Sequence, residues 1–458
     1  MHSLNLVKLG RTLTTFGTIP AFPEFVKSSA GSPEGIGLQF AAGGWRGSAI
    51  DTLRILMIAP TSFFADYGCH VRILEELTSL QKRGHTVELC TYHNGRDLPG
   101  IVTHRTVDIP WRKRAIVGSS KHKLYLDVAL MATVLRRMRA FKPHLIHAHL
   151  HEGALIGSIA GKLFRTPVVF DYQGSLTEEM IDHGFIPARG RREQLMRWIE
   201  RRIDALPALI LPSSNVAAQH LASNQVPAGR IQVVPDAVDL DRFDADAARE
   251  GGRVWRERLG IPSDAAVVVY LGLLADYQGT PTLIEAASRF LARHPHAYVV
   301  IAGYPGVGRH AQLAEASPHA ARILFPGRIP YDEAPALLAA ADVAVAPKRS
   351  VTEANGKVLN YMAMRLPTVC TDAPVNRDLL GDYGWFVPPD DPAALAAGIE
   401  NALAASSGHR AALRERVRRH FDWDHQIIHI EAVYDRVLNP AGRPVAESKN
   451  IEALATDD

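Results

Sequence analysis

Residues 352–363 read TEANGKVLNYMA and hold the densest chemistry in the chain. Gly356 and Lys357 open a run of helical character just after an apolar, strand-like segment, ADVAVAP at 341–347. The first N–H groups of a helix have no partner inside it, and with the helix dipole they form a seat for a phosphate or diphosphate. Lys357 adds a cation to that seat. The plainer alternative is a loop glycine before a helix with a solvated lysine.

Other polar groups fall at strand-like ends. Gly68, Cys69 and His70 follow RILMIAP (54–60), where a glycine lets the backbone approach a ligand closely. The stretch HAHLHE offers His147, His149 and His151 at alternating positions. An extended strand would put all three on one face, where zinc could bind with Glu152 as a fourth ligand, but the Glu152-Gly153 pair starts a turn. One histidine facing a bound molecule and the others satisfying the backbone is the competing arrangement. His149 and His151, nearest the strand end, are the candidates for orienting a hydroxyl. Gln173, between Asp171 and Gly174-Ser175, can meet a ligand hydroxyl or close a local turn.

These groups need a scaffold, and the chain supplies one twice. From Arg54 to Ser213, and again from Ala265 to Asp372, short apolar segments alternate with helical periodicities. That pattern predicts parallel strands with crossover helices, hence two doubly wound, Rossmann-like α/β domains. A length of 458 residues fits two domains. The expected layout is an extension at 1–52 (disordered, or an over-long start), domains at 53–240 and 241–420, a closing helix at 421–440, and a flexible tail at 441–458. The polar stretch 235–262 reads as the linker, and Ile427, Ile428, Ile430, Val433, Tyr434 and Val437 as the apolar face of the closing helix. Ligands bind beyond the carboxyl ends of strands in such sheets, so two facing edges make a two-substrate cleft.

Composition narrows the class. Apolar residues make up 47% and charged residues 22%, as in a soluble globular protein. Lys and Arg total 51 against 48 Asp and Glu, a net +3, which gives no argument for nucleic acid binding. The three scattered cysteines form no disulfide or CxxC pattern, so a reducing cytoplasm is the default. No apolar run reaches membrane-spanning length. The segment 188–207 is basic and amphipathic, with Leu195, Trp198, Ile199 and Ile203 as one stripe among arginines. It suits either peripheral contact with an anionic membrane or packing as a surface helix. WRKR (111–114), Lys121, His122 and Lys123 form a second basic spot.

Taken in order, GCHVRILEELTSLQKRGHTVEL, IHAHLHEG, VVPDAVDLDRF (233–243), VVYLGLLADYQGTPTLIEA and GKVLNYMAMRLPTV resemble family 4 retaining glycosyltransferases of GT-B fold, over roughly residues 53–440. The resemblance implies a nucleotide-diphosphate sugar as donor, held by the second domain, and a glycan, lipid-linked or small-molecule acceptor at the first. It implies diphosphate contacts from Gly272, Gly356, Lys357 and Val358, base and diphosphate loops at Gly303, Gly327 and Arg328, and donor-sugar contacts from Glu353. The acceptor would lie near Gly68, His149, His151 and Gln173. Retention without a covalent nucleophile implies front-face substitution with no metal or cofactor. Several positions depart from the family: Leu273 and Gln278 stand where Arg and Lys usually meet the diphosphate, Asn360 where a ribose-binding glutamate usually lies, and Gln173 where a histidine is usual. Lys357, Arg328 and Lys348 are candidates to restore the charge, and Asn360 can still bond a ribose hydroxyl. The missing cations also leave open a catalytically silent binding protein on the same scaffold, and the histidines leave open a zinc hydrolase.

Overall fold

The computed structural model describes residues 52–65, 68–108, 123–182, 184–349 and 355–439. The extension at 1–51, Glu353, the basic run 111–114 with Lys121 and His122, and the tail from 440 onward lie outside the described residues.

Six strands make the first sheet: β1 (Arg54–Ala59), β2 (Thr86–Thr91), β3 (Val102–Arg105), β4 (Leu145–His149), β5 (Val168–Tyr172) and β6 (Leu209–Pro212). Their spatial order is β3-β2-β1-β4-β5-β6, and every pairing is parallel. The second sheet holds β7 (Ala266–Leu271), β8 (Ala297–Ala302), β9 (Ile323–Gly327), β10 (Val343–Ala346), β11 (Thr368–Thr371) and β12 (Gly384–Val387). Its order, β12-β11-β10-β7-β8-β9, is the same winding read from the other edge, again all parallel. Helices cover both faces, which is why β1, β4, β5 and β10 are near-continuous buried runs rather than alternating ones. In each sheet the order reverses once, between β1 and β4 and between β7 and β10, and there the crossovers diverge and leave a crevice.

A shared core joins the two lobes. Ile55, Met57 and Leu77 of the first belong to one apolar cluster with Val358, Leu359 and Met362 of the second, through Val238, Phe243 and Ile427. The closing helix spans Trp423–Leu438, capped by the Asp422 side chain on the Asp424 amide. It lies back on the first lobe. Glu431 accepts from Arg83 at 2.8 Å and lies 3.1 Å from His85, and the Tyr434 hydroxyl meets His147 Nδ1 at 2.6 Å.

The structure corrects three details of the expected layout. Ile428 is exposed, so the buried face of the closing helix is narrower than its apolar spacing implies. The stretch 235–262 is not a plain linker, because it contains the helix Arg249–Arg258 with Trp255 buried. Gly251 and Gly252 let that helix lie directly on its neighbour: a Cβ on Gly252 would sit 2.6 Å from the Ala339 carbonyl carbon. Two edge strands, β3 and β12, were not expected; each is only four residues long, and β3 (VTHR) has a single apolar residue, while β12 (GWFV) is apolar but short and begins with glycine.

Candidate functional site

A cavity of about 330 Å³ opens between the carboxyl edges of the two sheets. Gly68, Cys69, Leu150, His151, Gln173 and Ser175 line it from the first lobe, and Gly272, Gln278, Gly303, Tyr304, Lys348, Asn355, Gly356, Lys357 and Asn360 from the second. Asp236 and Trp423 complete the wall from the crossover and the closing helix.

On the second lobe, β7 delivers Gly272 and β8 delivers Gly303 to the rim. The two loops touch: Gly303 has φ +150°, and a Cβ on it would lie 1.7 Å from the Gly272 oxygen, so only glycine fits. The Gly303 amide donates to the Gly327 carbonyl at 2.8 Å, closing the series of strand-end turns. The helix Lys357–Ala363 packs beneath them. Its Tyr361 hydroxyl accepts from the Leu271 amide at 2.9 Å and donates to the Leu271 carbonyl at 3.2 Å, fixing the helix to the end of β7. With seven residues this helix has a small dipole, so the charge at the site comes mainly from side chains.

Lys357 provides it. The Lys357 Nζ donates to Gln278 Oε1 at 2.6 Å and to the Tyr270 hydroxyl at 3.3 Å, and stands 4.7 Å above the Tyr270 ring. The position that lacks its expected lysine, Gln278, is therefore met by an ammonium arriving from the next crossover. Lys348 also lines the cavity, mostly buried.

The first lobe is built around a buried guanidinium. Arg72, on the helix Gly68–Lys82, contacts Glu76 at 3.0 Å, Asp171 at 2.8 Å and Asp236 at 2.7 Å. Burial opposes its charge, but these three carboxylates push its pKa further up. Burial alone would likewise raise the Asp171 carboxyl, yet Arg72 and His149 hold it well below the usual range. Asp171 in turn orients Gln173, whose Nε2 donates to Oδ2 at 2.7 Å. Asp236 is raised by burial, partly offset by Arg72, and its Oδ2 faces Gly356 across the interlobe gap.

The three histidines do not share one face. β4 ends at His149, and Leu150 turns the chain into the helix Leu150–Phe164 with φ +61°, a left-handed conformation unusual for leucine. His147 and His149 stay on the strand with rings 4.7 Å apart, facing Glu76 and Asp171. His151 leaves on the helix and faces Glu200 and Asp204. This turn rules out a single zinc site built from all three histidines.

Of the residues singled out by sequence, Gly68, His151, Gln173, Gly272, Gly303, Gly356, Lys357 and Asn360 line the cavity. His149, Gly327, Arg328 and Val358 do not. His149 and Val358 are fully buried, Gly327 supports Gly303 through its carbonyl, and Arg328 stacks on Tyr304 at 4.9 Å. Arg72, Asp236, Asn355 and Trp423 were not singled out as site residues. Arg72 and Glu76 sit at i and i+4 in a helix read for its apolar spacing, and that charged pair facing the apolar side was the available signal. The basic segment forms the helix Arg191–Asp204, but its stripe divides: Ile203 is buried while Leu195 and Trp198 are half exposed among arginines. Among the described residues no helix is long and apolar enough to cross a membrane.

Known proteins share this architecture. The Glycosyltransferase Family 4 model matches residues 68–242, and the Glycosyl transferases group 1 model matches 253–420. A D-inositol 3-phosphate glycosyltransferase of Geodermatophilus obscurus is 29% identical over 399 residues, 80% of this chain and 84% of its own. A 2-deoxystreptamine N-acetyl-D-glucosaminyltransferase of Streptomyces fradiae is 26% identical over 77% of this chain and 86% of its own. Among solved structures, Anabaena HepE in complex with UDP and glucose superposes with TM-score 0.68 at 16% identity, over 84% of this chain and 99% of that one. Sucrose-phosphate synthase from Thermosynechococcus elongatus gives TM-score 0.70 at 18% identity, over 85% and 100%. With both lobes matched in order and the two-sheet cleft in place, the chain belongs to the family 4 glycosyltransferases of GT-B fold.

Proposed function

We propose that this glycosyltransferase moves a sugar from a nucleotide-diphosphate donor to a hydroxyl acceptor with retention of anomeric configuration. The observation that carries the reading is the Lys357 ammonium, delivered to Gln278 at the rim of the second sheet. It supplies the positive charge that a departing diphosphate requires. Gly272, Gly303 and Gly356 bring the backbone of the second lobe to the cavity wall, where the phosphates would meet it. The capture of UDP by HepE favours a uridine-type donor here as well. Asn360 suits a ribose hydroxyl, and Glu353, outside the described residues, keeps its proposed place beside the donor sugar.

Among the described residues the carboxylates lining the cavity are Glu152, Glu179 and Asp236; Asp236 is engaged by Arg72, and the other two are partly exposed on the first-lobe wall. The reading is front-face substitution. The leaving diphosphate takes the acceptor proton, while positioning and charge stabilisation lower the barrier. Lys357 serves this step without a metal at the diphosphate. The acceptor enters beside Gly68, His151 and Gln173, and a glycan, lipid-linked or small polyol acceptor fits that polar wall. Leu195 and Trp198 among Arg191, Arg192, Arg201 and Arg202 suit peripheral contact with an anionic, cytoplasm-facing membrane. Lys357 answers the loss of charge at Gln278, which weakens the motive for the silent alternative, although Leu273 still offers none.

The test is release of nucleoside diphosphate from a panel of sugar donors, with and without polyol and glycan acceptors, followed by NMR of the product's anomeric centre. Acceptor-dependent release with the donor's configuration kept is the expected result. Binding of every donor without transfer contradicts the proposal.

A further inference from the structure

Two separate groups of buried histidine and carboxylate side chains lie at the end of β4. In the first, Glu76, His147, His149 and Asp171 surround Arg72, which already fills the gap between their charges. The second has no such cation, and it points to a ligand. We propose that His151, Glu200 and Asp204 form a site for one divalent transition cation of the Zn²⁺ type, which fastens the helix Arg191–Asp204 to the turn after β4.

Geometry is the first argument. The His151 Nε2 stands 3.7 Å from Glu200 Oε1 and 3.5 Å from Asp204 Oδ1. Such distances are too long for hydrogen bonds. They match two ligands sharing one ion: bonds of about 2.0–2.1 Å at tetrahedral angles separate the ligand atoms by about 3.3 Å. The candidate atoms of all three residues lie within 4.8 Å of one another. Glu200 and Asp204 are one helical turn apart, so both carboxylates face the histidine from one side of their helix.

Satisfaction is the second argument. His151 is 3% exposed, Glu200 1% and Asp204 0%. His151 Nε2 and both carboxylate oxygens of Asp204 lack a hydrogen-bond partner among the described residues. Buried polar atoms are almost always bonded, so three that converge without a bond mark a place for something else. Arg230 comes near but donates to the main-chain carbonyls of Asp204 and Pro207 rather than to either carboxylate.

Charge and support are the third. Two carboxylates buried in one spot need positive charge beside them, which one divalent ion bound to all three side chains supplies. One nitrogen and two oxygens are a donor set that zinc accepts readily. Glu200 is oriented by its neighbours, as metal ligands commonly are. The Thr177 amide donates to Oε2 at 3.2 Å, the Thr177 hydroxyl bonds the same oxygen, and the Tyr172 hydroxyl lies 3.4 Å from Oε1. His151 reaches the cavity wall but the carboxylates do not, so the ion sits behind the acceptor side. This site stands independently of the proposed transfer and adds no step to it.

The experiment uses the untagged full chain, purified without chelator after growth with added Zn²⁺ and Mn²⁺. Elemental analysis is expected to find about one ion per chain, falling to about a tenth or less in Asp204→Asn and His151→Ala. A chelator should lower the Tm of the native chain by several degrees and leave Asp204→Asn unmoved, and added Zn²⁺ should restore the native value. Should these variants not fold, Glu200→Gln and the chelator response of the native chain decide. A native chain with no bound metal and no Tm response to chelator or Zn²⁺ overturns the proposal and leaves a proton on His151 as the occupant of the gap. Metal retained by the variants overturns it too, by placing the ion elsewhere. UDP binding measured on the same samples keeps this outcome separate from that of the donor site.

Discussion

Where its strand order reverses, the first lobe buries Arg72, Glu76, His147, His149 and Asp171, whereas the second lobe places Tyr270, Tyr361, Gln278 and Lys357 at the matching crevice. The winding is the same and the chemistry differs. In the first lobe the charges neutralise one another out of water and hold Gln173 and the crossover residue Asp236 in place. In the second, an ammonium that donates to the neutral side chains of Gln278 and Tyr270 faces the cavity. One network serves as frame and the other as contact. Arg72 also reaches the cavity wall, but its charge is met by Glu76, Asp171 and Asp236, whereas Lys357 donates to the neutral groups of Gln278 and Tyr270; this asymmetry supports the proposed donor side at the second lobe.

The sharpest way to break the comparison is to remove the frame's centre. Arg72→Ala leaves Glu76 and Asp171 buried without their cation, and should cost about 3–5 kcal/mol of stability by chemical denaturation. A loss under about 1 kcal/mol would mean that the cluster is solvated or protonated instead. Lys357→Ala should leave folding nearly intact and lower kcat/KM by about 10- to 150-fold, the worth of one charge-assisted hydrogen bond. Because the ammonium rests on Gln278, adding Gln278→Lys to that variant should recover part of the loss; no recovery would separate the lysine's role from that spot.

A third test addresses the seam between the lobes. Glu75, on the same helix as Arg72, accepts from the Tyr331 hydroxyl of the second lobe at 2.8 Å. Burial raises its carboxyl to about 7, although Tyr331 and Arg242 pull the other way. The folded state therefore holds this proton more tightly than the unfolded chain. The stabilisation is full below the ordinary carboxyl range, near 4.5, and is lost as pH rises through about 7. Glu75→Gln mimics the protonated form, so the Tm of the native chain should fall relative to the variant between pH 5 and 8, measured by calorimetry. Parallel curves would remove Glu75 from the seam. The smallest effect concerns the outer surface: replacing Arg201 and Arg202 by Gln should weaken binding to vesicles with anionic lipid by about 30-fold, at about 1 kcal/mol per charge.

Most of the scaffold was legible because buried parallel strands announce themselves. β7, β8 and β10 are apolar throughout, β1 is so after Arg54, β4 and β5 are apolar apart from His147, His149 and Asp171, and the glycines after β7 and β8 mark where the chain turns over the cleft. Lys357 was legible for the same reason, since it follows β10 closely. What stayed hidden depends on partners distant in sequence. Arg72 meets Asp171 and Asp236 from 99 and 164 residues away, and Lys357 meets Gln278 from 79. No local spacing encodes such pairs. The split of the histidines was only partly legible: Glu152-Gly153 signalled a turn, but its position hangs on one backbone angle at Leu150. The helix Arg249–Arg258 escaped because its paired glycines serve close packing rather than a turn.

The central claim is that Lys357 and the glycine-lined rim of the second sheet grip a nucleoside diphosphate. Calorimetric titration of UDP into the native chain and into Lys357→Ala tests it most directly. One site per native chain is expected, about 10- to 150-fold weaker once the lysine is gone. Equal affinity in both proteins, or UDP bound by neither, would contradict it.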